Sequence, residues 1–561
     1  YGGWGFPGEF LTYGKHSDYI AGEFWPGGKD MRNIELAASC AHIYNKPGLY
    51  AEAFTGGSGY YQYPRTLKQE GDAAIAGGMS NVMLHVYIEQ AYEEQYPGVE
   101  SWFGVEFNRK NTWFPHIDLF TTYLKRCGYM MEQGLPVSDV AYFIGEDAPA
   151  NIGPFGTNPN SAENGVTAPI FPKGYRFDYV NADVIINSMS VKDGRIVLPH
   201  GISYRILVLP AFKTMRPEVL KGIERLVAEG ATVLGEAPQR SPSYQNYPDA
   251  DKELKSLAGK MWGDDLSPSR AKQRTYGKGH ILSGMTIEEA LKTLNIAPDV
   301  KMDDNLVYGH RTLNNREIYF IANRSDETVQ TSPEFRVAGK QPELWNTITG
   351  KRRILPTFIQ TDVSTTVPLQ LEPHESMFIV FSGKGKPKSS DVKDNFPAPK
   401  TLVEITTPWT VKFESGKIRR GPSEPVIFDK LQSWSLNEDP RIRYYSGTAV
   451  YNNTFTLDAK PSGEISIDLG KVGIMAKVTV NGKYAGGAWT YPYRVDITDV
   501  VKKGENRMEI EVVNTWANRF IGESALPKDE RVVKPLYNNW NSSSTLQDAG
   551  LLETVKIVAL Q

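Results

Sequence analysis

Two glutamates at matched places in consecutive units are the residues with the most chemistry to offer. Glu23 ends the run YIAGEFW and Glu52 ends GLYAEAF, each a brief apolar stretch of strand character with an aromatic residue nearby. A carboxylate in an apolar strand is costly unless it is paired, holds a ligand or reacts. Two of them at one relative position in successive strand–helix units describe a site on the C-terminal rim of a β/α barrel. Paired carboxylates are also how glycosidases supply acid and base, standing about 6.5–9.5 Å apart when the reaction inverts the sugar. The competing explanation is structural, two glutamates neutralised by arginines.

Other polar and aromatic residues lie near these strands in sequence. His85 and Gln90 flank the end of LHVYIEQ, where the histidine is either a satisfied core group or a sugar contact. Trp25, Trp102 and Trp113 are candidate platforms for stacking on a sugar face, and each would serve equally as core. In FNRKNTW, Arg109 and Asn111 could hydrogen-bond hydroxyls, or Arg109 could pair with a carboxylate. Asp72, after Gly71, reads as the cap of a helix start. Cys40 and Cys127 fall in helical segments and read as buried thiols, and two cysteines offer no zinc spacing.

Residues 1–134 alternate strand and helix: IAGEFW, GLYAEAF and NVMLHVYI as strands, IELAASCAHIYN and FPHIDLFTTYLKRCGYMMEQG as helices. Three or four strands are too few to close an eight-stranded barrel, so this section is expected to be its C-terminal part. Residues 135–300 follow an open α/β pattern without a phosphate-binding glycine fingerprint, since Gly277 and Gly279 are too few and badly placed. Residues 301–383 show the short alternating strands of a sandwich. A Lys-, Pro- and Ser-rich linker is expected at 384–400, and residues 401–561 are again all β, with VNGK as an Asn-Gly hairpin signal.

The 62 basic and 65 acidic residues nearly balance, which gives no footprint for nucleic acid or an anionic membrane. No apolar run reaches the length of a membrane span. The chain opens on YGGWGFPGEF, without an initiator methionine, and reads as a piece of something longer.

The last section resembles the jelly-roll sugar-binding module of β-galactosidase-type glycoside hydrolases, through SGTAVY, VTVNGKYAGG, YRVDITDVVKKGENRMEIEV and NTWANRFIGE. GEFW, LYAEAFTGG, LKQEGDAAIAGG with LHVYIEQ, WFGVEFNRKNTWF and, near the C-terminus, NTWANRFIGE together resemble glycoside hydrolase family 106, the α-L-rhamnosidases, over essentially the whole chain. The resemblance implies a barrel, an amidotransferase-like α/β domain, a β-sandwich and a jelly roll, in that order. It implies an inverting exo-enzyme that removes terminal L-rhamnose from plant or algal polysaccharides, needs Ca²⁺ and is periplasmic or secreted. By position it makes Glu52 the general base and Glu23 a second active-site carboxylate. Glu23 would then orient hydroxyls, ligate Ca²⁺ or stand in as acid, because the family's general acid lies upstream of GEFW. Trp516 and Asn518 could reach the site from the last module. The expected partner is a rhamnose-containing carbohydrate, and oligomeric state has no signature. A non-catalytic sugar-binding remnant and a β-galactosidase-like enzyme are the alternatives.

Overall fold

Both glutamates sit on one small parallel sheet. The computed structural model describes residues 9–28, 31–57, 59–146, 169–263, 271–384, 394–459 and 463–560. Its first section runs α1 (Phe10–Gly14), β1 (Ile20–Phe24), α2 (Arg32–Ile43), β2 (Leu49–Ala53), α3 (Pro64–Ala76), β3 (Asn81–Leu84) and α4 (Ile117–Met131). The strands pair in the order β1-β2-β3, all parallel, so the section is two βαβ units. The strand expected over NVMLHVYI stops at Leu84. Beyond it the backbone turns to a second segment: Val86 N–H donates to Val105 O at 2.8 Å and Val105 N–H to His85 O at 3.1 Å.

α2 is buried on nearly every side, including Ile34, Leu36, Ala38, Cys40 and Ile43. Its small residues let two sheets approach it. The strand Phe177–Val180 of the next section lies against it, where Tyr179 N–H donates to Ser39 Oγ at 2.9 Å and His42 Nδ1 meets Asp178 Oδ1 at 2.7 Å. Cys40 and Cys127 are buried and unpaired, and burial pushes the Cys40 thiol up to about 12, so it stays a neutral packing group.

The second section is an open sheet with strand order Gly279–Ser283, Thr232–Leu234, Ile206–Val208, Val140–Phe143, Phe177–Val180, all parallel, plus the antiparallel edge Lys272–Tyr276. Numbered in chain order, the parallel strands run 2-1-3-4-5, a doubly wound arrangement. Helix Pro217–Glu229 buries Val219, Leu220, Ile223, Leu226 and Val227 on one stripe, as helical periodicity requires.

A sandwich follows, with Arg316–Asn323 between Leu306–Leu313 and Ser376–Ser382 at the centre of its larger sheet. Leu135–Pro136 joins this sheet at its edge, opposite Arg311 and Thr312, so the end of the first section is stitched into the third. The last section packs a four-stranded against a six-stranded antiparallel sheet. There the VNGK turn joins Met475–Val480 to Lys483–Ala488 with Asn481 and Gly482 both at positive φ.

Asp72 does not cap a helix start. It lies in the middle of α3, fully buried, because Lys68 one turn earlier takes its Oδ2 at 2.6 Å and the Tyr123 hydroxyl of α4 donates to its Oδ1. Lys68 Nζ spends its other protons on Ser376 Oγ and His374 O, both at 2.8 Å, and so ties α3 to the sandwich.

Candidate active site

Glu23 and Glu52 are register partners on β1 and β2. Neighbouring parallel strands stand about 4.8 Å apart, and residues in register point to the same face. The two carboxyl groups therefore rise side by side from the C-terminal ends of the strands. Glu23 is 9% exposed; its Oε1 accepts from Trp25 Nε1 at 2.6 Å, and its backbone N–H donates to Asn33 Oδ1 of α2 at 2.9 Å. Glu52 is partly exposed, and Thr55 Oγ1 donates to its Oε1 at 3.1 Å.

The backbone between Glu52 and Thr55 is strained. Phe54 is fully buried at φ 65, a conformation that is an outlier for a bulky side chain. The surrounding rings hold it there: Phe24 at 5.2 Å, Phe120 at 5.6 Å and Phe107 at 6.4 Å between centroids. Gly71 of α3 leaves room, since a Cβ at that position would stand 3.2 Å from the Phe54 ring. Strain of this kind costs on the order of 1–3 kcal/mol and persists where the surroundings over-determine it. Here it turns the chain so that Thr55 reaches back to Glu52.

An aromatic wall stands beside the carboxylates. Trp25 is 40% exposed and stacks on Phe103 at 6.2 Å with the rings 11° from parallel. His85 also stacks on Phe103, at 4.8 Å, and Trp102, 69% exposed, lies at 4.2 Å from it. Phe103 is the member that sequence reasoning missed; its signal was the Trp-Phe-Gly run in a loop that bridges back to Gly57. His85 Nδ1 is buried with no hydrogen-bond partner among the described residues. Gly104 at φ 106 makes room for that ring, for a Cβ there would sit 2.6 Å from His85 Nδ1. Gly104→Ala is expected to cost about 1–3 kcal/mol and to raise KM by displacing His85 and Phe103. Thermal melts and steady-state kinetics check it, and unchanged values for both would show that the wall does not depend on this glycine.

Several expected site residues lie elsewhere. Trp113 is fully buried in the core, edge-on to Phe107 at 5.8 Å, and is no platform. Trp516 is fully buried too, with Nε1 donating to Lys110 O at 2.9 Å, and Asn518 braces the backbone of Gln547 through both ends of its amide. Gln90 is buried and clasps Val99 N–H and O at 2.9 and 2.8 Å, which shapes a loop. Asn111 is buried and donates to Glu106 O at 2.9 Å. Arg109 pairs with Glu93, as its carboxylate-partner reading has it. Residue type alone could not separate these from contacts, because buried and sugar-facing aromatics share one alphabet.

Two further carboxylates went unnoticed in sequence. Burial pushes Glu100 up to about 7, with the neighbouring Glu106 adding to the rise. Glu106 also reaches about 7 through burial, against hydrogen bonds from Ser101 N–H and Asn108 Nδ2. Both hold their proton more tightly folded than at the ordinary value of 4.5. Their stabilising contribution is thus full below that value and is lost as pH rises through about 7. The wild-type melting temperature is expected to fall between pH 5 and 8, and Glu100→Gln to remove a substantial part of that fall. A variant with the wild-type pH profile would show that Glu100 does not carry it.

Oxygen-only donors at Glu23, Glu52 and Thr55 suit the chemistry of Ca²⁺, which takes six to eight oxygens. Among the described residues, however, no group of three or more His, Cys, Asp or Glu gathers at one point. These residues do not by themselves form a calcium cage.

A carboxylate pair on a β/α sheet beside an aromatic wall is the kind of arrangement glycoside hydrolases use, and sequence comparison points to the same class. The profile of glycoside hydrolase family 106, alpha-L-rhamnosidase, matches residues 2–358, and the chain belongs to this family. A glycosyl hydrolase 2 galactose-binding domain-like profile matches residues 431–541. The chain is similar to a rhamnosidase from Novosphingobium sp. PP1Y, with TM-score 0.88 and 28% identity, over 98% of this chain and 52% of that one. The chain thus spans about half the length of that solved relative. It is also 26% identical to a putative beta-glucuronidase of Formosa agariphila, over 99% of this chain and 67% of the relative. A beta-galactosidase from Bacillus circulans sp. alkalophilus, at TM-score 0.42 and 13% identity over 67% of this chain and 62% of that one, is too distant to carry an argument. Among the described residues no helix is long and apolar enough to cross a membrane.

Proposed function

We propose that the chain forms part of an α-L-rhamnosidase that removes terminal L-rhamnose from plant or algal polysaccharides with inversion, and that Glu52 is its general base. The supporting observation is the register of Glu23 with Glu52 beside an exposed aromatic wall. In this reading the first section is part of a β/α barrel. Glu52 takes a proton from water as the water oxygen attacks the anomeric carbon, and the glycosidic oxygen leaves with a proton from a general acid. An inverting pair must flank the sugar with a water between base and ring. Glu23 rises beside Glu52 on the same face, so it suits holding sugar hydroxyls better than standing opposite as acid. The acid is then a residue other than this pair. Calcium, implied by the family resemblance, would draw on Glu23, and no step is routed through it. A periplasmic or secreted location fits a polymer substrate.

The test is turnover of an aryl α-L-rhamnoside by folded protein, beside an aryl β-D-galactoside and an aryl β-D-glucuronide, with Ca²⁺ and with a chelator. Release from the rhamnoside alone, with the β-anomer of rhamnose appearing first by NMR, is the expected result. Release from the glucuronide or galactoside and not from the rhamnoside would overturn the substrate assignment. The α-anomer first would overturn inversion, and equal rates with chelator would remove calcium.

A further inference from the structure

The last section sends a strap, residues 532–540, across to the loop that follows Glu52. Lys534 N–H donates to Tyr96 O at 2.8 Å, Leu536 N–H donates to the Glu100 carboxylate, and Trp540 Nε1 donates to Gly59 O at 2.6 Å. Beneath the strap Tyr60, Trp516, Phe520 and Val533 form a buried cluster against which Tyr96 and Trp540 pack. This underside fixes the strap to the first section. Its upper side is different. Leu536, Tyr537, Asn538 and Asn539 are exposed, and Asn538 Oδ1 accepts from the Trp540 backbone N–H at 2.9 Å, which closes a tight turn there.

The position matters more than the exposure. Thr55 holds Glu52, Gly57 bridges to Phe103, and Gly59 is held by Trp540. The backbone leaving the proposed base is therefore bonded on one side to the aromatic wall and on the other to the strap. Tyr61, 40% exposed, stands between them: its hydroxyl is 3.2 Å from where a Cβ on Gly57 would lie, and its ring is 3.5 Å from the same point on Gly59, which is 3.6 Å from Asn539 Nδ2. From Tyr537 to Asn539 the strap carries one exposed aromatic ring and two amides and no charge, and Tyr61 beside it supplies a second ring. Rings that stack on a pyranose face, with amides for its hydroxyls, suit an uncharged sugar. An anion or a cation would find no partner within this stretch.

We propose that Tyr61, Tyr537 and Asn539 form the subsite for the uncharged glycosyl residue to which the terminal sugar is attached, so that the galactose-binding-like section helps choose the substrate. This inference rests on the reading of the chain as an exo-glycosidase, and its test separates the two. In the full-length protein, binding of a rhamnosyl disaccharide is followed by titration calorimetry for wild type, Tyr61→Ala, Tyr537→Ala and Asn539→Ala. Each substitution is expected to weaken binding tenfold or more, and to lower kcat/KM for the disaccharide at least tenfold more than for an aryl rhamnoside, mainly through KM. Trp540→Phe keeps the ring under the strap and reports whether the brace alone matters. Unchanged disaccharide binding in all three alanine variants, or equal losses on both substrates, would overturn the subsite and leave the strap a structural brace only. Wild-type protein that binds the disaccharide but turns over no rhamnoside would refute the hydrolase reading, while the binding comparison still decides the subsite.

Discussion

Glu52→Gln in the full-length protein is expected to lower kcat on an aryl α-L-rhamnoside by about 10²–10⁴-fold, the usual contribution of a positioned general base, while KM moves little. Glutamine keeps the length and the ability to accept from Thr55 Oγ1, so the strained turn at Phe54 has no reason to relax. What it loses is the place for water's proton. A ground-state binding role would show the opposite pattern, a raised KM with kcat retained. Glu23→Gln serves as the comparison, because a group that orients hydroxyls beside Trp25 should register mainly in KM. Wild-type turnover by Glu52→Gln would end the assignment of the base.

The second large effect lies outside the chemistry. Lys68→Met is expected to destabilise the protein by about 3–5 kcal/mol, the cost of stranding a buried charge without its partner. Asp72 would keep only the Tyr123 hydroxyl, while Ser376 Oγ and His374 O would lose their ammonium donor. Both charged side chains are 1% exposed, so water cannot compensate. Denaturant unfolding followed by tryptophan fluorescence measures the change. Replacing both residues, Lys68→Met with Asp72→Leu, should recover much of the loss, because a packed apolar pair carries no desolvation penalty. A single variant as stable as wild type would mean that the pair is hydrated in solution.

How far the sequence reached can be traced through these residues. Glu23 and Glu52 were found because a lone acid in an apolar strand is conspicuous, and the repeat of the pattern placed them in register. The Asn481–Gly482 turn was equally plain, since positive φ at two consecutive positions has few chemical solutions. Asp72 was misplaced because Gly71 before it mimics a helix entry; the glycine is there to clear the Phe54 ring. The Lys68–Asp72 spacing of four was the overlooked sign of a helix interior. Trp113 and Trp516 went astray because burial depends on what the rest of the chain brings up. Glu100, Glu106 and the strap were invisible for a related reason. They sit in loops without period, and their burial is made by a contact between residues more than four hundred positions apart.

α2 serves two sheets at once, and Leu135–Pro136 ends one section as a strand of another. Such a molecule has no clean seams. Its sections cannot be traded one at a time with those of other enzymes, as beads on a string can, because any swap would strip a wall from a neighbour. Changes that diversify what such a protein accepts must then accumulate in what the shared walls leave free, the loops on the rim and the strap laid over them.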